Sequence, residues 1–170
     1  MNLPLVKEAV ASQYGAALDM MENAMRACPD AHWVDEKVTV GQQFWYLVFH
    51  TLWWHDHYVS PTEASHRAPA PYTMDEMAPE YVYPATTYTR DQLLAFLEYG
   101  RDRCRERIRG LTDESAAAPC GFERRNMSVL ELLLYNLRHV QHHTAQLNLL
   151  LRQRIDSAPR WVRRTSVPLS

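Results

Sequence analysis

Six of the eight histidines in this 170-residue chain stand in two short segments, HTLWWHDH (50–57) and HVQHH (139–143). Imidazole is a hydrogen-bonding partner, an acid–base group near neutrality and the commonest protein ligand for transition metals. Which role applies depends on where each ring points. With His139 as origin on a helix, His143 lies about 40° away, Gln146 about −20°, Leu132 and Leu150 about 20°, and Tyr135 about −40°. The two leucines mark this face as buried. Histidines at i and i+4 stand on adjacent turns, the spacing of helical metal sites. A buried pair costs free energy unless both rings find partners, and a metal ion takes neutral imidazole nitrogen.

His50 has Gln43, Tyr46, Trp54 and His57 within about 40° on its own helix, again a face of large core-type side chains. His50 and His139 both fall near mid-helix, so the two histidine segments can meet at one depth. Three neutral imidazoles leave the fourth position of a tetrahedral ion open, as catalytic rather than structural zinc sites do. The donor set alone suits zinc, nickel, iron and copper. A lone histidine on an apolar face is more often a satisfied core residue, so the argument rests on the three together. His55 and His142 project away from these faces and read as surface or lateral packing. His57 lies about 10 Å beyond His50 along the axis, too far for the same ion. It reads as a partly exposed helix-end histidine, with a proton-shuttle or entrance role as the alternative. Tyr46 and Tyr135 fall near the site by phase.

The elements that must hold these residues are helices. Periodic apolar patterning spans Pro4–Ala27, Thr39–Val59, Thr89–Arg109 and Ser128–Arg154, and no alternating β-branched run appears. Three of the segments open with capping-box patterns, at Thr39/Gln42, Thr89/Gln92 and Ser128/Glu131. Four helices of this length in one chain predict an all-α four-helix bundle over residues 1–156, with an extended C-terminal tail over 157–170 in which Trp161 docks. The connections at 29–38 and 111–127 read as loops. The one at 60–88, between the second and third helices, is long and carries five prolines. It is expected to cross the bundle diagonally or to cover one end as a lid. Arg101–Arg107 alternates in sign and reads as a solvated face. Trp53 and Trp54 read as core.

Composition excludes several classes. Net charge is −2 and sequence pI about 6.4, so no field favours nucleic acid or anionic lipid. The longest apolar runs fall far short of a membrane span. No secretory signal is visible, and three widely spaced cysteines (Cys28, Cys104, Cys120) read as reduced thiols of a cytoplasmic protein. Arg160, Arg163 and Arg164 form only a small basic cluster.

The contexts FWYLVFHTLWWHDHYV and NLRHVQHHTAQLNLLLRQ, together with the helix order and the long second connection, resemble the DinB-like (YfiT-like) superfamily of metalloenzymes. His139-xxx-His143-xx-Gln146 is the most specific piece. The resemblance implies a four-helix bundle with one mononuclear divalent metal per chain, usually zinc or nickel, bound by His50, His139 and His143, often in a homodimer. Gln146 would take a supporting or packing role. It further implies a small-molecule substrate and chemistry with low-molecular-weight thiols, by a thiol-dependent transferase or a hydrolase. The competing reading is a non-enzymatic, stress-associated binding bundle whose metal is structural or absent, motivated by the lack of a carboxylate clearly placed near the triad. A second apolar stripe, Leu130, Leu134 and Leu137, lies about 180° from the histidines and is the expected dimer surface.

Overall fold

The computed structural model describes residues 2–72, 76, 83–166 and 169. Among them the regular elements are helical: α1 (Leu3–Ala27), α2 (Asp30–Trp33), α3 (Phe44–Val59), α4 (Arg90–Arg109), α5 (Asp113–Ala117) and α6 (Val129–Ile155). The four long ones are those expected from periodicity. The short α2 and α5 lie inside connections read as loops. α1 and α3 each pack on both α4 and α6, which places α1 diagonally opposite α3. The chain is therefore a four-helix bundle in which α3 and α4 are neighbours. The 60–88 connection joins adjacent helices and has no diagonal to cross.

Local chemistry explains most boundaries. Asn2 accepts from the Leu5 amide at 3.3 Å and Pro4 occupies the first turn, where no amide hydrogen is needed. Thr89 and Gln92 form the expected capping box, and Ser128 accepts from the Glu131 amide. The box expected at Thr39 does not form. Val40–Gln42 is a 3-10 turn, and α3 begins only at Phe44, behind an extended Gln43. Gly41 disfavours helix here, and the Tyr83 hydroxyl sits 2.8 Å from where its Cβ would be.

The bundle core is formed by Tyr14, Leu18 and Met21 of α1, Phe44, Phe49, Leu52 and Trp53 of α3, Leu93, Phe96 and Leu97 of α4, and Val140, Leu147 and Leu151 of α6. α3 is buried almost all round. On α6 the deepest stripe is Leu133, Asn136, Val140, Thr144, Leu147 and Leu151, centred about 100° from His139. His139 and His143 are half-buried and Gln146 is exposed. The histidine line is thus a flank of α6, not the centre of its buried face.

Three further expectations need correction. Arg101 is fully buried and ion-paired to Asp19, Glu22 and Glu98, so the alternating Arg101–Arg107 segment is not a uniformly solvated face. The carboxylates that compensate the desolvation of Arg101 lie outside the segment, Asp19 and Glu22 on α1 and Glu98 one turn earlier, while Asp102 pairs with Arg105. Trp161 is 65% exposed and does not dock. The tail is held instead by Thr165 and Ser166, which donate to Asp19 Oδ2 at 2.9 Å, and by buried Leu169. His55 is fully buried, hydrogen bonded to Tyr14 Oη at 2.9 Å, rather than surface or lateral. All three cysteines are buried and free.

Candidate metal centre

α3 presents His50 between Tyr46 and Trp54, one turn to either side. α6 presents His139 and His143, also one turn apart. Packing of α3 on α6 brings the three rings together. Centroids are 5.7 Å apart for His50–His139, 4.9 Å for His50–His143 and 4.6 Å for His139–His143. One nitrogen from each ring lies within 4.8 Å of the others, a group that could hold a metal ion.

Their hydrogen bonds prepare that role. His50 Nδ1 stands 2.7 Å from Glu76 Oε2. An ionised carboxylate only accepts, so Nδ1 carries the hydrogen and Nε2 keeps its lone pair. Burial pushes the Glu76 carboxyl up, but hydrogen bonds from His50, Tyr46 and Trp54 outweigh it and hold the group below its usual range. Tyr46 Oη donates to Glu76 Oε1 at 2.6 Å and Trp54 Nε1 to Oε2 at 3.1 Å. His143 Nδ1 faces Gln146 Oε1 at 2.6 Å, which leaves its Nε2 free in the same way. His139 Nδ1 is buried with no partner among the described residues.

Burial, reinforced by His143 and His50, lowers the His139 pKa to about 3; burial lowers that of His143 to about 4. Both rings are neutral at pH 7 and ready to donate lone pairs. Three imidazoles on one flank, one with an orphaned buried nitrogen, fit a divalent transition metal.

Glu76 is the residue that sequence reasoning missed. It arrives from the 60–88 connection, where no periodicity says which of several acidic residues turns inward. The role of that connection becomes partly visible through it, although 73–75 and 77–82, with Pro79, lie outside the described residues. Tyr46 reaches the site through Glu76. Tyr135 packs on Tyr58, whose ring lies 6.3 Å from His139. His142 is exposed, as expected.

His57 differs from its reading as a helix-end residue. It is 2% exposed, stacked on Trp53 at 5.3 Å and perpendicular to His66 at 4.9 Å. His66 Nε2 in turn meets Asp56 Oδ2 at 3.0 Å, and Arg103 pairs with the same buried carboxylate. These contacts fasten the connection to α3 and α4. A cavity of about 810 Å³ opens beside the triad, with Trp54 and Glu76 in its wall, and runs past His57 and Tyr58 to Gly121–Arg125.

A family model for the DinB superfamily matches residues 13–147. That span covers most of the chain and both histidine segments, so the protein belongs to the DinB superfamily. Neither a curated protein nor a solved structure matches the chain.

Proposed function

We propose that the protein is a metal-dependent enzyme in which His50, His139 and His143 hold one divalent ion per chain, zinc or nickel, next to a small-molecule substrate. The observation that carries this reading is the convergence of three imidazoles on one flank, next to a cavity whose wall includes Glu76, the partner of His50. A closed structural site would instead complete its ligand shell with protein. An ion held there supplies Lewis-acid polarisation of a substrate group. Glu76 sets the His50 tautomer and adds negative charge beside the centre, while Tyr46 and Trp54 keep Glu76 in place.

Thiol-dependent transfer or hydrolysis is the reaction class we favour, because an ion held by three imidazoles would keep a position for a thiol or water. The non-enzymatic alternative rests on the lack of a carboxylate placed near the triad as a general base. Glu76 is a carboxylate at the centre, engaged by His50, Tyr46 and Trp54, and weighs against it only as a group that orients His50. A homodimer belongs to the same proposal. Its support is Leu134 and Leu149, 45% and 52% exposed on α6; Leu130 and Leu137 already pack on the chain's own core.

Elemental analysis with thermal unfolding tests the metal. Wild type should carry about one zinc or nickel per chain. Free ion at a hundredfold excess over Kd should stabilise it by about 2.7 kcal/mol, a rise of roughly 5–11 °C for a chain of this size. His143→Ala should lose both the ion and the rise. A wild type that binds neither ion after reconstitution would overturn the reading.

A further inference from the structure

The cavity beside the triad has a second end that the metal centre does not use. There the chain turns tightly through 119–128: Pro119 and Ser128 bridge, the Cys120 amide donates to Met127 O at 3.1 Å, and the Arg125 amide to Phe122 O at 2.9 Å. Gly121, at φ +77, takes a left-handed conformation, and a Cβ there would sit 3.1 Å from Thr62. The Glu63 amide donates to Gly121 O at 3.2 Å. The turn is thereby pinned to the start of the 60–88 connection.

This pinned turn presents Arg125. Its guanidinium lies over the rings of Tyr135 at 5.0 Å and Tyr58 at 5.7 Å, and one nitrogen donates to Tyr58 Oη at 3.0 Å. It makes no ion pair among the described residues. Of the acids lining the same cavity, Glu76 is occupied by His50, Tyr46 and Trp54, while Glu63 and Glu123 make no salt bridge to it. A guanidinium has five N–H donors in a planar fork suited to a carboxylate. Here its position is set by stacking and one hydrogen bond, with donors left over.

His57 adds an independent sign. It forms part of the cavity wall, is nine-tenths buried or more, and has an Nδ1 without a partner. Trp54, Tyr58 and Phe122 complete an aromatic wall. A volume of about 810 Å³ falls within the range of small-molecule sites.

We propose that this cavity binds an extended organic anion, its acid group on Arg125 against the Trp54–Tyr58–Phe122 wall and its other end at Glu76 beside the triad. Only the placement of that other end rests on the proposed metal centre. His57 stands seven residues after His50, about 10 Å along α3. The volume of about 810 Å³ admits a ligand the size of a dipeptide or a short aromatic acid. Arg124 lines the same end together with Glu63 and Glu123, so the end carries no net charge and the selectivity for an anion rests on the Arg125 fork.

The probe is 3-phenylpropionate, compared with its uncharged isostere 3-phenylpropionamide, by calorimetric titration of EDTA-stripped and zinc-loaded protein. The acid should bind at least tenfold more tightly than the amide in both forms. Arg125→Gln should abolish the difference and Arg125→Lys should restore part of it. Equal binding of acid and amide by wild type would overturn the proposal, and needs no variant to fold. So would acid binding that persists in Arg125→Gln but disappears in His143→Ala, since that places the anion on the metal alone. Arg125-dependent binding in a protein that takes up neither zinc nor nickel would uphold this site and overturn the metal reading. Zinc uptake without acid preference would do the reverse.

Discussion

Acid should destabilise this protein partly through one interior histidine. His55 is fully buried between α1, α4 and α6, bonded to Tyr14 Oη and receiving at its carbonyl the Asn136 side-chain amide at 3.0 Å. Burial is the main cause that lowers its pKa from the usual 6.5 to about 4. Between those values the unfolded chain holds a proton at this position and the folded chain does not. Stability from neutral His55 is therefore complete above about pH 6.5 and falls as pH drops towards 4. At about 1.4 kcal/mol per pH unit, the loss totals roughly 3 kcal/mol. The assay is urea unfolding followed by circular dichroism at several pH values between 7.5 and 4, on metal-free wild type and His55→Gln. The substitution carries its own pH-independent cost. All other titrating groups are shared, so they cancel in the difference between the two curves. The advantage of wild type over the variant should shrink by about 3 kcal/mol from pH 7 to pH 4. A difference that stays constant over that range would refute the claim that His55 is held neutral in the fold.

Two further outcomes probe the site and its scaffold. Glu76→Gln should weaken metal binding by about 10–100-fold, since it removes the charged acceptor that orients His50; competition with a chromophoric chelator measures this, and an unchanged affinity would remove Glu76 from the centre. Gly100→Ala should destabilise by about 1–3 kcal/mol, because the new Cβ would lie 2.8 Å from His55 Cδ2. Helix propensity alone predicts a gain of about 1 kcal/mol, so the sign of the change in urea midpoint decides between them.

The parts legible in the sequence were those governed by local periodicity. Four long helices followed from apolar spacing, and Thr89 with Gln92 marked the start of α4 because a capping box is a contact between residues three apart. The pairing of His139 with His143 followed for the same reason, as helical phase alone puts them together, whereas their meeting with His50 depends on the packing of α3 on α6. Thr39 misled because Gly41 and Tyr83 act against the helix there, and Tyr83 is distant in sequence. Arg101 misled because the partners that make its burial tolerable, Asp19 and Glu22, lie on α1. His57 looked like a helix-end residue because the His66 and Phe122 rings that cover it come from other segments. Each error concerns a long-range contact.

The flank position of the triad and the near-complete burial of α3 have one origin. α6 turns its apolar stripe to the bundle axis, which leaves His139 and His143 displaced by about 100° and about 60° towards α3 and its outer surface. A helix as apolar as FWYLVFHTLWWHDHYV cannot leave that outer surface in water. The 60–88 connection supplies part of the missing cover, through His66 on Asp56 and Glu76 on Tyr46, His50 and Trp54. Because a connection rather than a fifth helix does the covering, space remains beneath it, and that space is the cavity. Histidines on the axis of the bundle would have been sealed by close-packed side chains. Placed on the flank, His139 and His143 are buried enough to stay neutral, and the triad lies beside a chamber large enough for an organic ligand. The length of the connection is thus a requirement of the site: a short α3–α4 turn would expose α3 and remove both Glu76 and the cavity wall.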